Sequence, residues 1–455
     1  MPSTKSPTTY PLIAIGQSQY NTWLQKQPAS VKQWLKTSDF NNDVGAFSLI
    51  PGKDGKLEYV LAIIDDEPDI WSLAHLATTL PAHSYKLESS FSKELATQFM
   101  LGWELACYEF TRYKKSDRRF AKLIAPKNID TAYVKSLASS IGWGRDLINT
   151  PANDMHPEAL AEEAVGWAQA AKGKVKIIKG EQLLKQNYPM IYTVGKASTI
   201  APHLVDIRFP KNNAPKVTLV GKGVCFDSGG LDIKPGSSMK MMKKDMGGAA
   251  SVLALAKMIV DTKLPVQLRV LLPIVENAIA GNAMRPSDVV PTRKGITVEI
   301  GNTDAEGRLI LCDALTEADD DKPDLLIDCA TLTGAARVAL GTDVPVYFTD
   351  DNKLAAQLQK CSETMNDPMW RLPLWKPYRS KLDSQIADIS NDPSSGYGGA
   401  ITAALYLAEF VSKTAAWIHV DMMAWNLADQ PGRPKGGDAM AVRALYTLIK
   451  ERYGN

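Results

Sequence analysis

The sequence predicts an α/β protein of two domains: a smaller N-terminal α/β domain and a larger C-terminal domain with a mostly parallel (mixed) sheet flanked by helices. Three observations lead there. At 455 residues the chain is too long for one ordinary hydrophobic core. From Val175 onward, continuous apolar strand-like runs alternate with helical stretches, the pattern of a sheet covered on both faces. Ahead of it lie short strands, a hairpin and two long helices. The boundaries fall at 1–150 for the first domain, 151–172 for a connecting segment and helix, and 173–455 for the second.

In the first domain, Leu12–Ile15 and Ala46–Ile50 read as short strands. Tyr59–Ile64 pairs with the latter across Pro51-Gly52-Lys53-Asp54-Gly55, a hairpin signal. Phe91–Tyr113 has helical periodicity, with Leu95, Phe99, Leu101, Leu105 and Phe110 forming a buried stripe. Ile129–Leu147 is a second helix. No constellation here requires catalysis, so the domain reads as a support, oligomerisation or access-control unit.

Composition narrows the class. Hydrophobic residues at 45% and charged residues at 22% are those of a soluble globular protein. A net charge of +2 gives no bulk argument for nucleic acid or an anionic membrane surface. The five cysteines are widely spaced and lack any Cys-x-x-Cys, which suggests free thiols in a reducing compartment. Met1–Lys5 leads into no signal-type segment, and no run reaches membrane-span length. The expectation is a cytoplasmic protein without a membrane partner.

A helix from Pro157, capped by Asp154 or His156, leads into the second domain. Val175–Ile178, Met190–Val194, Leu204–Phe209, Val217–Val220, Val266–Val275, Leu325–Cys329 and Val344–Phe348 read as strands. Helices intervene at Gly248–Asp261, Ile310–Ala318 and Lys353–Thr364. The stretch from Pro393 to Gly399 is a flexible, candidate active-site loop.

The chemistry concentrates in three stretches. Gly301–Leu309 (Gly-Asn-Thr-Asp-Ala-Glu-Gly-Arg-Leu) follows a β-branched run and precedes a helical pattern, so it reads as a loop at the carboxyl end of a strand. It places Asp304 and Glu306 two residues apart, with Arg308 two further on. Such a group is costly to desolvate unless a cation neutralises the acids, although alone it also fits a solvated polar loop. Gly307 lets the backbone bend close to whatever they hold.

Val220–Gly230 sets Lys222 between two glycines and Asp227 five residues on. The lysine is misplaced for a phosphate loop. Phe226 stands where a dinucleotide fingerprint or a nucleophile elbow needs glycine. The third stretch holds Ile233-Lys234-Pro235-Gly236, then Asp245 before Gly247-Gly248, where a helix dipole tolerates a carboxylate. A plain N-cap fits Asp245 as well.

If these loops meet at one sheet edge, Asp227, Asp245, Asp304 and Glu306 cluster at a total charge of about −4, which cannot persist uncompensated. Two divalent cations roughly 3.5–4 Å apart would neutralise them. The oxygen-rich set suits Mg²⁺ and Mn²⁺, and Zn²⁺ also accepts carboxylates. No histidine lies in these loops. Lys222 is a ligand only as the neutral amine, so its pKa would have to fall.

Asn302–Leu309 is identified as the signature octapeptide of the leucyl aminopeptidase, or cytosol aminopeptidase, family. Gly221-Lys222-Gly223, Phe226–Gly230, Ile233-Lys234-Pro235 and Asp245–Ala250 resemble that family in order and spacing, as do Asn282–Val290, Ala330–Ala335 and Gly398–Ala404. The likeness covers about residues 142–450; the first 140 carry no matching motif.

The resemblance implies a metallo-exopeptidase that removes the N-terminal residue of peptides through a metal-bridging hydroxide. It implies one metal on Asp227, Asp304 and Glu306, and another on Lys222, Asp227, Asp245 and Glu306. Lys234 and Arg308 would be catalytic: Lys234 polarises the scissile carbonyl, and Arg308 binds bicarbonate as the base. The free α-amine would ligate the second metal beside Asp245. Thr331, Leu332 and Gly334 would line the substrate cleft, and Met242 the pocket for the first side chain. The family precedent is a homohexamer, a dimer of trimers.

Two departures stand out. After His419-Val420-Asp421, the family's usual Ile-Ala-Gly is replaced by Met422-Met423-Ala424, which puts a leucine preference in doubt. Cys312 and Cys329 replace small residues and read as packing variants. Two competing readings are a secondary DNA-binding or scaffold role, opposed by the near-neutral charge, and an amidohydrolase with Cys225 as nucleophile, which no nearby histidine supports.

Overall fold

A computed structural model describes residues 9–127 and 129–454. Met1–Lys5, on which the expectation about a signal segment rests, lie outside the described residues. The chain forms two compact units. One runs to Gly142 and includes Ala428–Pro434; the other comprises Trp143–Leu427 and resumes at Lys435.

The first unit is built on a five-stranded sheet in the order Phe47–Pro51, Leu57–Ile64, Thr9–Gly16, Ser84–Leu87, Lys122–Ile124. The first pair is antiparallel, and Gly55 at φ +76° turns the hairpin between them. The remaining neighbours are parallel. Ile50, Leu61 and Ile63 pack with Tyr20, Val31 and Leu35 from the preceding helices. Ser92 caps the helix Lys93–Ala106 by accepting from Leu95 N. That helix is shorter than its periodicity predicts, because Tyr108–Tyr113 is rich in aromatic and β-branched residues of low helix propensity, so Phe110 lies outside it.

The second unit carries a nine-stranded sheet. Its centre is four parallel strands in the order Trp417–Asp421, Leu325–Ala330, Lys216–Gly221 and Gln267–Asn277. Antiparallel strands flank this centre: Val346–Phe348 on one side, His203–Phe209 and then Lys174–Lys179 on the other. The short strand Gly223–Asp227 continues alongside the far end of Gln267–Asn277. The central strands are buried along nearly their whole length, which explains their unbroken apolar runs. Because all four run the same way, their carboxyl ends share one edge, and the chain leaves that edge through polar segments.

One predicted strand is a helix. Met190–Val194 has strong β propensity, yet Pro189–Gly195 is helical. Pro189 occupies the first turn, and Asp313, 123 residues on in sequence, caps the helix: its Oδ2 accepts from Met190 N at 2.8 Å and Ile191 N at 3.4 Å. Met190, Ile191 and Val194 are thereby buried against a core that includes Leu311 and Leu315. Tertiary capping overrides local propensity here.

Asp313 Oδ1 also accepts from Arg293 N at 2.8 Å. Replacing Asp313→Asn turns one acceptor into a donor facing a backbone N–H. We expect a loss of about 1–3 kcal/mol in denaturant-induced unfolding; an unchanged midpoint would show that the capping contributes nothing.

Candidate metal centre

The sheet edge brings together all four acids. Asp227 ends the strand Gly223–Asp227, and Asp245 lies in the 3-10 turn Met242–Met246 that enters the helix Gly247–Asp261. That helix is not capped by Asp245, whose side chain turns inward instead. The Gly301–Leu309 stretch is only half a loop: Glu306 is the first residue of the helix Glu306–Asp320, where its charge suits the helix dipole. The strand before it, Thr297–Glu299, sits in a separate three-stranded sheet between Val289–Pro291 and Ile389–Ser390.

Ligand-capable oxygens of Asp227, Asp245 and Glu306 lie within 4.8 Å of one another. Two lysines tie the four acids in pairs. Lys222 Nζ is 2.8 Å from Asp245 Oδ2 and 2.9 Å from Glu306 Oε1, and donates to Thr331 O at 3.0 Å. Lys234 Nζ is 2.9 Å from Asp227 Oδ2 and also contacts Asp304 Oδ1. Gly307 makes this possible through space rather than backbone freedom: a Cβ there would stand 2.5 Å from Lys222 Cε.

Neutral side chains fix the acids. Asp227 Oδ1 accepts from Asn277 Nδ2 and Gly229 N, both at 2.9 Å. Thr331 Oγ1 donates to Asp245 Oδ1 at 2.7 Å. Thr303 Oγ1 donates to Gly229 O at 2.6 Å, and Thr303 N to Asp232 Oδ2 at 2.8 Å, so the first and second stretches interlock. Gly229 at φ +88° and Gly230 at φ +67° turn the chain back towards Lys234. Asn391 accepts from Gly301 N at 2.8 Å and donates to Asn302 O at 2.8 Å, while its carbonyl receives Arg308 Nη1 at 2.7 Å. Asp421 accepts from Leu332 N, Thr333 N and Thr333 Oγ1, which holds the 331–334 segment.

The electrostatics are strained. Burial, then the charge of Asp227, pushes the Glu306 carboxyl well above the usual range. Burial also raises Asp304. Burial would raise Asp245 too, but Lys222 and Lys244 hold it low. For Lys222, burial alone would lower the ammonium, yet Asp245 and Glu306 outweigh burial and hold it above the ordinary lysine value. A neutral Lys222 therefore demands additional positive charge.

Divalent cations fit this donor set. Glu306 Oε2 is buried and accepts no hydrogen bond among the described residues; Asp245 Oδ2 and Asp304 Oδ1 are met by lysine ammonium groups. Hard carboxylate oxygens with unused lone pairs suit Mg²⁺, Mn²⁺ or Zn²⁺.

Beside the acids lies a cavity of about 430 Å³. Lys222, Asp227, Lys234, Asp245 and Asp304 line it, and so do Met242, Thr331, Leu332 and Gly334. Glu306 and Arg308 are buried and are not part of this lining. The segment from Pro393 to Gly399, read as an active-site loop, is not part of the lining; Asn391, just before it, does the positioning. Cys225 is buried, its thiol pushed far up by burial, and it does not line the cavity. Cys312 and Cys329 are buried as well.

A carboxylate cluster of this kind on an α/β sheet edge fits a class: a metal-dependent hydrolase. Residues 142–446 match the family model described as "Cytosol aminopeptidase family, catalytic domain", and residues 10–126 match "M17 aminopeptidase, N-terminal domain", where no motif had been recognisable. The chain belongs to the cytosol aminopeptidase family and is a metallo-aminopeptidase. The crystal structure of cytosol aminopeptidase from Coxiella burnetii is 45% identical, covers 99% of this chain and 98% of that one, and superposes with a TM-score of 0.94. The bottromycin maturation enzyme BotP in complex with Mn is 31% identical, covers 97% of this chain and 99% of its own, and has a TM-score of 0.87. Peptidase B of Pectobacterium atrosepticum is 40% identical over 366 residues, 76% of this chain and 83% of that protein.

Two expectations follow. Alanine in a helix is ordinarily more favourable than glycine by up to ~1 kcal/mol. Gly307→Ala should instead lower both the thermal midpoint and the metal content, since its methyl displaces Lys222; a stabilised, fully loaded variant would contradict this packing. Second, Glu306 retains its proton to higher pH than an ordinary carboxyl, so an incoming cation must displace it. Loading the metal-free protein with Mn²⁺ should release protons and tighten as pH rises. Calorimetry in buffers of different ionisation enthalpy measures that release, and its absence would refute the protonation argument.

Proposed function

We propose that the cluster holds two divalent cations, one on Asp227, Asp304 and Glu306, the other on Lys222, Asp227, Asp245 and Glu306. In this reading the protein removes the N-terminal residue from peptides with a free α-amine. The observation that carries it is the convergence of four carboxylates from three segments beside one cavity, three of them lining it. Bound there, two such ions supply a water of lowered pKa and polarise the scissile carbonyl.

The chain's own groups do the rest. Lys234, at the cavity wall, stabilises the developing oxyanion by donating to it. Arg308 keeps a buried Nε without a hydrogen-bond partner among the described residues, a donor suited to bicarbonate as the base. Asp245 receives the substrate α-amine, so a blocked or internal amide lacks the anchoring contact. Met242, Thr331, Leu332 and Gly334 bound the space for the first residue. We further infer, from family resemblance, Mn²⁺, Zn²⁺ or Mg²⁺ as the ions, a cytoplasmic location, and a homohexamer made as a dimer of trimers, with the N-terminal unit serving assembly or access.

Glu306→Ala and Asp304→Ala should each reduce bound metal and lower kcat/KM on aminoacyl amides by at least about 100-fold. A chelator should abolish turnover and thiol alkylation should not. A Glu306→Ala protein with wild-type turnover would end this assignment.

A further inference from the structure

The cavity wall holds a cation that the chemistry above does not use. Lys244 is 5% exposed, lines the cavity, and has no hydrogen bond or ion pair to its Nζ among the described residues. The other cations there are matched. Lys222 and Lys234 each contact two carboxylates. Arg337 is 2.6 Å from Asp421 and also donates to the carbonyls of Thr333 and Met422. Asp245 and Asp421 act on this ammonium without pairing with it, and a buried ammonium that no acid touches is expensive to maintain unless something arrives to meet it.

Its position says what arrives. Lys244 directly precedes Asp245 in the turn Met242–Met246, and Met241, Met242 and Met423 line the same cavity. If the substrate α-amine sits at Asp245, the first side chain starts within one Cα of that anchor. The cavity it enters is lined by these methionines together with Lys244 and Arg337. Met423 stands where the family commonly has a small residue, so the pocket is narrowed by thioether rather than opened for a branched aliphatic chain.

We propose that Lys244 is a specificity-determining residue that selects peptides whose first residue is acidic, glutamate or aspartate, by pairing with the side-chain carboxylate. This rests on the aminopeptidase reading and the α-amine placement, and adds the substrate class. A carboxylate on the ammonium forms a charge-assisted hydrogen bond, whereas the isosteric amide of glutamine brings no charge.

The test compares glutamyl, glutaminyl and leucyl p-nitroanilides on the Mn²⁺-loaded full-length protein. Wild type should show a kcat/KM for Glu over Gln of roughly 10- to 100-fold, the worth of a hydrogen bond to a charged group. Lys244→Met, similar in length but uncharged, should bring the ratio near one; Lys244→Arg should keep it well above one. A purely structural lysine would change all substrates together and leave the ratio alone.

Calorimetric binding of L-glutamate against L-glutamine gives a second readout without turnover, with glutamate the tighter ligand in wild type only. It also stands on wild type alone if Lys244→Met does not fold. A Glu/Gln ratio of one with leucyl turnover intact overturns the selectivity and leaves the aminopeptidase reading standing. Absence of turnover on every aminoacyl substrate overturns both.

Discussion

The contact on which this site depends is the ammonium of Lys222 held between Asp245 and Glu306 at 2.8 and 2.9 Å. It joins the end of a central strand to a 3-10 turn and to the first turn of a helix, three segments far apart in sequence. Much of the local architecture serves that geometry. Lys222 follows the strand Lys216–Gly221, which lies between Leu325–Ala330 and Gln267–Asn277, so its side chain emerges at the middle of the parallel edge. Glycine at 307 clears the volume for its stem. Thr331, at the end of the neighbouring strand, anchors both the ammonium and Asp245.

An arrangement of this kind is poor for stability and sound for ion binding. Burying several charges costs more than their mutual attraction returns, unless each lone pair is used. Here they are not all used: Glu306 Oε2 is buried without a hydrogen bond, and its carboxyl is driven up by burial and by Asp227. The surrounding neutral groups do not relieve that strain. Asn277, Thr331 and the Gly229 amide fix where the oxygens point, which is what an ion requires of its ligands.

The sequence made the acids legible and hid what holds them. Asp304 and Glu306 stand out because two carboxylates flank a helix start beside glycine and arginine. Asp227 and Asp245 stand out because polar residues interrupt apolar runs at strand ends. Asn391 gave no such sign and Asp421 showed only as part of a family motif, since each acts on backbone groups 88–90 residues away. The same blindness explains Met190–Val194, where residues of β preference form a helix because Asp313 reaches it from a distant element. In the N-terminal unit the strands and hairpin were readable from pattern, but no chemical motif marks its kinship. Its likeness lies in the family model over 10–126.

Lys244 shows the complementary limit. In the sequence it is one of several lysines around Asp245, and a lysine-rich turn most often means a solvated face. Packing separates them: Lys243 reaches Asn149 O at 2.6 Å and lies over the Trp425 ring, whereas Lys244 is drawn inward to the cavity. The residues proposed to hold metal sit at a strand end, in the turn Met242–Met246 and at a helix start, with neutral groups fixing Asp227 and Asp245. Lys244 shares that turn with Asp245, and Met423 follows the strand Trp417–Asp421, yet among the described residues neither side chain is hydrogen-bonded to the four acids. Reaction chemistry and substrate choice are thus carried by different side chains of one edge, which allows a chain with the acid cluster intact to differ in the residue it removes.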